Sequence, residues 1–125
     1  MQSWTEMDEF RCVDLQDTFI YSWAVADGAL TFEVLVSLWP GHPRYEEPAK
    51  SHYTCFCKGS LKFFELSSID GLAKMTEVSQ SLDLDGSVDY GCFYFLGYDG
   101  NERYVVSGDF GEVKLRCAGM EFRIY

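Results

Sequence analysis

The chain has 125 residues, with twenty acidic side chains against ten basic ones, a formal charge of −10 and a pI near 4.4. Hydrophobic residues make up 47% and aromatics 17%, which argues against a disordered chain and supplies enough apolar surface for a packed core. The same balance argues against nucleic-acid binding, because neutralising phosphates takes a basic face.

At this length the expectation is one domain spanning residues 1–125. Met1–Phe10 (MQSWTEMDEF) has no cationic start, apolar stretch or small-residue cleavage site, so no secretory signal is expected there. No window reaches the ~20 apolar residues that span a bilayer. The richest, Ala29–Trp39, is interrupted by Thr31, Glu33 and Ser37. Five cysteines, an odd number with no export signal, argue against a disulfide framework. A reducing cytoplasm, with the thiols as small buried hydrophobes, is the simpler expectation.

The apolar pattern has mostly period two, the mark of half-buried strands. Over Thr18–Val25, Phe19, Tyr21, Trp23 and Val25 are expected to share one face. Asp27-Gly28 is a hairpin turn signal, and Leu30, Phe32, Val34, Val36 and Leu38 form the inward face of the returning strand. Trp39–Lys50 (WPGHPRYEEPAK) holds Pro40, Pro43 and Pro48, which cannot donate to a ladder, so this stretch must leave the sheet as a loop. A loop this long either carries function or connects two sheets.

Tyr53, Cys55 and Cys57 alternate next, Lys58-Gly59 reads as a turn, and Leu61, Phe63 and Phe64 follow. Ser67 is placed to cap a short helix with Ile69, Leu72, Ala73 and Thr76 on one side. Ser79–Gly86 is polar and turn-like. Val88, Tyr90, Cys92, Tyr94 and Leu96 then share a face, Asp99-Gly100 turns, and Tyr104 and Val106 return. Phe110-Gly111 turns again, Val113, Leu115 and Cys117 alternate with Lys114 and Arg116, and Ala118-Gly119 leads to Met120, Phe122 and Ile124. Glu121, Arg123 and Tyr125 point outward, as charges on an edge strand do. The expected fold is mainly β: an antiparallel β-sandwich or open barrel with meander hairpins and at most one short helix.

Chemistry-bearing patterns are sparse. Cys55 and Cys57, at i and i+2 on a strand, point to the same face, and His52 lies three residues before Cys55, yet no second closely spaced pair completes a zinc tetrad, so core packing is favoured. Asp83, Asp85 and Asp89 cluster around Gly86, but that glycine falls two positions early for an EF-hand loop, which leaves a solvated turn. No G-x-S-x-G elbow, G-x-x-x-x-G-K-[ST] loop or G-x-G-x-x-G stretch is present. Neither a metal nor another cofactor is expected, no catalytic residue stands out, and an enzyme is a minority reading.

Leu15-Gln16-Asp17-Thr18-Phe19 before the first hairpin, Gly59-Ser60-Leu61-Lys62-Phe63 in the middle and the closing stretch Tyr104–Ile124 form a layout. It resembles small bacterial all-β proteins of the kind represented by immunity proteins of polymorphic toxin systems. That resemblance implies a protein that binds and blocks one cognate toxin, and it supplies no catalytic residue. The acidic excess is compatible with this: Met1–Glu47 holds nine carboxylates against Arg11 and Arg44. Such a field steers basic partners, although solubility alone also accounts for it. The expected function is a non-enzymatic acidic module that docks a basic protein surface. The expected contacts are Asp8, Glu9, Trp39, His42, Arg44, Tyr45, Glu46 and Glu47, with Trp39 and Tyr45 as anchors. The alternatives are a small-molecule binder with a ligand held in a barrel mouth, and a weak hydrolase.

Overall fold

The computed structural model describes residues 1–48, 54–82 and 86–125. Strands dominate: β1 (Gln2–Ser3), β2 (Val13–Ala26), β3 (Ala29–Leu38), β4 (Cys55–Asp70), β5 (Ser81–Leu82), β6 (Val88–Asp89), β7 (Phe93–Tyr98), β8 (Arg103–Gly108) and β9 (Gly111–Ile124). Seven form one antiparallel sheet in the order β1-β7-β8-β9-β4-β3-β2, while β5 and β6 make a separate two-stranded ribbon. Two meanders, β2-β3-β4 and β7-β8-β9, are joined edge to edge by the long pair β4 and β9. Among the described residues, helical structure is limited to three single 3₁₀ turns, Trp4–Glu6, Asp8–Phe10 and Met75–Glu77.

The sheet is not closed, but it curls until its two ends face each other. Phe32 on β3 packs against Phe93 on β7 and Phe110 in the β8–β9 turn, with ring centroids 5.3 and 4.8 Å apart. Those strands stand four places apart in the sheet, so the contact crosses the interior. The open edge of β2 meets the segment entering β7 at a single bridge, Phe19 to Cys92. It is supported by Ile20 N–H to Gly91 O (2.9 Å) and Tyr90 N–H to Ile20 O (2.8 Å). This makes an open-barrel form of the expected β fold.

Leu30, Phe32, Val34, Val36 and Leu38 all lie in the core, as their alternation predicts. The alternation fails on β2. Leu15, Gln16, Asp17 and Thr18 stand opposite Val36 alone, and Tyr21 has no place in the ladder between Ile20 and Ser22. Thr18 Oγ1 fills the gap by donating to Asp14 O (2.8 Å) and accepting from Ser37 N–H (3.2 Å). These bulges exchange the faces over Phe19–Tyr21, where Ile20 is fully buried and Phe19 and Tyr21 are half-exposed; beyond them Trp23 is buried as expected, and Val25, near the hairpin turn, is 50% exposed. A further bulge at Tyr94 buries Phe93 and Leu96 and leaves Tyr94 outside, so the expected shared face from Val88 to Leu96 does not form.

Three other expectations are corrected. Lys58-Gly59 is no turn, because β4 runs through it without a break. The glycine is required by close approach: a Cβ at Gly59 would lie 2.3 Å from Arg123 O. The helix expected after Ser67 is instead the end of β4, where Ser67 is the extra residue of a bulge and its hydroxyl donates to Arg116 O. Finally, β9 is not an edge along its whole length: residues 114–116 lie between β8 and β4, whereas the stretch with Glu121 and Arg123 pairs with β4 alone, Glu121 facing Lys62 across that ladder. The N-terminal turns bury Trp4, Met7 and Phe10, a spacing of three that matches a 3₁₀ period and not the strand period.

Gly59→Ala is therefore expected to lower unfolding stability by about 3 kcal/mol, since backbone on both strands must move. Gly100→Ala, where φ is +85° but the surrounding space is open, is expected to cost about 1 kcal/mol. Urea unfolding of the two variants checks the difference.

Candidate functional site

Four of the eight expected contact residues, Asp8, Trp39, Glu46 and Glu47, line two clefts at the end of the sheet where β3 stops. Asp8 and Trp39 line the first, of about 320 Å³, with Trp4, Thr5, Glu6 and Arg11; Trp39 is 46% exposed. Glu9 lies on the same 3₁₀ turn, exposed, but outside that cleft. Glu46 and Glu47 line the second, of about 300 Å³, with Leu35, Pro48 and Phe56.

The stretch 39–48 between them is held in place by a chain of backbone bonds. Trp39 N–H donates to Cys12 O (2.9 Å), His42 N–H to Trp39 O (3.2 Å) and Tyr45 N–H to His42 O (3.0 Å). His42 Nδ1 accepts from Arg44 N–H at 3.0 Å, and partial burial together with the Arg44 cation lowers its pKa. Arg44 spends its guanidinium on Ile124 O (3.4 Å) and Tyr125 O (2.5 Å), and Tyr45 packs against the core. His42, Arg44 and Tyr45 thus fasten the loop to the sheet, leaving Trp39 and the carboxylates as its presented groups.

A second acidic region lies at the seam between β2 and β7; of its carboxylates, Asp17 and Asp109 fall in stretches of the layout described above, and Asp89 in the acidic turn around Gly86. Burial pushes the Cys92 thiol up to about 11, and the carboxylates of Asp17, Asp89, Asp14 and Asp109 all add to that rise. No cation among the causes offsets them. Tyr94, 55% exposed, donates its hydroxyl to Asp109, and Gln16 Nε2 reaches Tyr94 O at 3.1 Å. Asp17 and Asp109 are exposed at this seam and Asp14 is half-buried, while Asp89 is buried and accepts from Gly91 N–H at 2.9 Å.

The outer face of β2, β3 and β4 adjoins this seam. Glu33 and Leu35 alternate with buried Phe32, Val34 and Val36, so they point away from the core. Leu35 is opposite Phe19 on one side and Lys58 on the other, while Phe56 is opposite Ser37. The rings of Phe19 and Phe56 meet at 5.7 Å. Half-exposed Phe19, Tyr21, Leu35 and Phe56 thus form an apolar strip between the seam carboxylates and Glu46 and Glu47. The reading of the sequence missed this strip because it turned Phe19 and Tyr21 inward. An apolar pair at outward positions, Leu35 and Phe56, was the available signal.

Cys55 and Cys57 do share a face, with their thiols in hydrogen-bond contact, and burial raises the Cys57 pKa. Among the described residues no three His, Cys, Asp or Glu side chains gather to hold a metal ion. His52 and Tyr53, and Asp83 and Asp85 of the acidic turn, lie outside the described residues. Raised thiol pKa values at Cys57, Cys92 and Cys117 work against nucleophilic chemistry there. Trp23, Phe32, Phe93 and Phe110 fill the space between the facing walls, where a barrel-mouth ligand would have to sit. No helix among the described residues is long and apolar enough to cross a membrane. No protein-family model, curated protein or solved structure matches the chain.

The seam makes a definite prediction for Cys92. Its folded pKa, near 11, is above the ordinary thiol value of 9.0, so its neutral form is favoured by folding. That contribution is complete below about pH 9 and is lost as the pH rises through 11. Alkylation of Cys92 by iodoacetamide is expected to follow a midpoint near pH 11, and Asp17→Asn is expected to move it down. Mass-spectrometric rates at each pH provide the readout.

Proposed function

We propose that the chain is a non-enzymatic protein-binding module that docks a basic protein partner, in the concrete form of a bacterial immunity protein that blocks a toxin. The observation that carries this reading is the juxtaposition at the seam: the exposed carboxylates of Asp17 and Asp109, with half-buried Asp14, beside the apolar strip of Phe19, Leu35 and Phe56. Aromatic and aliphatic anchors set in a charged rim are the anatomy of a protein interface. Carboxylates so arranged imitate phosphates and suit the cationic active site of a nuclease, the toxin class we favour. Trp39, Asp8, Glu46 and Glu47 extend the rim at the end of the sheet. Five cysteines with no disulfide among them fit a reducing compartment, and we place the protein in the cytoplasm.

Co-expression with the product of the immediately upstream reading frame tests this. That product alone is expected to arrest growth of a bacterial host, and this chain is expected to relieve the arrest. The purified complex should weaken about ten-fold or more from low to high salt. Persistent arrest, with no complex even at low salt, contradicts the reading.

A further inference from the structure

Strand β9 outlasts its neighbour on one side. β8 pairs with it only as far as Arg103 opposite Arg116, and Cys117 N–H to Glu102 O (2.9 Å) ends that ladder. Residues 119–124 pair with β4 alone, in an unbroken register, and among the described residues no strand covers their other side. Tyr125 N–H donates to Lys58 O at 2.9 Å, so Arg123, Glu121 and Gly119 also exchange their backbone bonds with β4. The N–H and C=O groups of Met120, Phe122 and Ile124 therefore point to the open side, where Arg44 reaches Ile124 O at 3.4 Å. The side chains of these three are half-buried on the inner face, where Phe10 packs on the Phe122 ring. Glu121 and Arg123 are exposed on the outer face.

We infer that this open edge is a dimer contact, at which β9 of a second copy of the chain adds antiparallel about a two-fold axis through Phe122. That axis sets Phe122 opposite its own copy, in a pair that exchanges both N–H···O bonds. On the outer face Glu121 then lies opposite Arg123 of the second copy, and Arg123 opposite its Glu121. On the inner face Met120 and Ile124 meet in the same way, so the half-buried row continues from one copy into the next. Charges on an edge ordinarily keep strands apart. Here they are of opposite sign and two residues apart, so the antiparallel register pairs them, whereas a parallel one sets Glu121 on Glu121 and Arg123 on Arg123. The edge is thus complementary to itself, which commits it to a second copy. Two features oppose the pairing and keep it reversible. The charge of −10 on each copy repels at long range until salt screens it. Arg44 also shares Ile124 O, whose second lone pair is left for Met120 N–H of the second copy.

Sedimentation equilibrium of the full chain in about 0.15 M salt, from about 1 μM to 1 mM, is expected to show a reversible monomer–dimer equilibrium. Glu121→Arg and Arg123→Glu should each weaken the dimer about ten-fold, because each sets like charges opposite at both contacts. Mixed in equal amounts, the two variants restore opposite charges at both contacts and should associate with each other about as tightly as the native chain does with itself. Hydrogen exchange on the native chain supplies a readout that needs no variant. The amides of Met120, Phe122 and Ile124 are expected to slow as concentration rises, while those of Glu121 and Arg123 stay constant. A monomer throughout that range, a dimer that neither variant weakens, or a mixture that does not recover would each overturn the inference. Slowing of the three amides only when another protein is added would also overturn it and give the edge to that protein.

Discussion

Everything in this fold depends on aromatic side chains meeting across one large curled sheet, beside which the described residues form only the two-stranded ribbon of β5 and β6. Phe32 is the pivot: its ring touches Trp23, Phe93 and Phe110, and it is fully buried. A flat seven-stranded sheet would leave one of its faces apolar and wet. Curling brings the inward faces of β3 and β7 together and removes that surface from water, at roughly 25 cal/mol per Å² buried. The N-terminal turns close one end of this interior with Trp4, Met7 and Phe10, and Phe10 stacks near Phe122 at 4.9 Å.

The curl has a consequence at the edges. Two strands that nearly close a barrel must accommodate each other, and bulges are how a β-strand bends. In β2 this happens at Leu15–Thr18 and at Tyr21, and in β7 at Tyr94. Each bulge also sends apolar or aromatic side chains outward: Phe19 and Tyr21 from β2, Tyr94 from β7. The same distortions that shape the core thus create the surface to which we assign recognition. Carboxylates of Asp14, Asp17, Asp89 and Asp109 gather at the resulting seam: Asp17 and Asp109 are exposed and Asp14 half-buried, while Asp89 is buried and accepts from Gly91 N–H.

Much of this was legible in the residue pattern, and the failures have identifiable causes. β3 alternates without interruption from Leu30 to Leu38, and β8 and the first half of β9 do the same, so period two placed their faces correctly. Bulges break that period, and nothing in Leu15-Gln16-Asp17-Thr18 announces that four residues will oppose one. Gly59 was read as a turn because glycine serves both turns and close backbone contacts, and only the neighbouring strand decides between them. The Pro-rich loop lies outside the sheet over its described part, residues 39–48, as expected; Ala49 and Lys50 are outside the described residues. Its candidate contacts divided, since Arg44 serves Ile124 and Tyr125 while Trp39 stays exposed. Sequence proximity brought Glu46 and Glu47 to attention. The long-range pairing that adds Leu35 and Phe56 beside them was out of reach of any local pattern.

The exchange of faces on β2 is the claim on which the recognition surface stands, and paired unfolding measurements on Ile20→Ala and Tyr21→Ala test it most directly. Ile20 is fully buried, so its truncation should cost about 3 kcal/mol by urea denaturation. Tyr21 is outward, so its truncation should cost less than about 1 kcal/mol. Equal losses, or a larger loss at Tyr21, would return Tyr21 to the core beside Trp23 and remove the outer strip from the account.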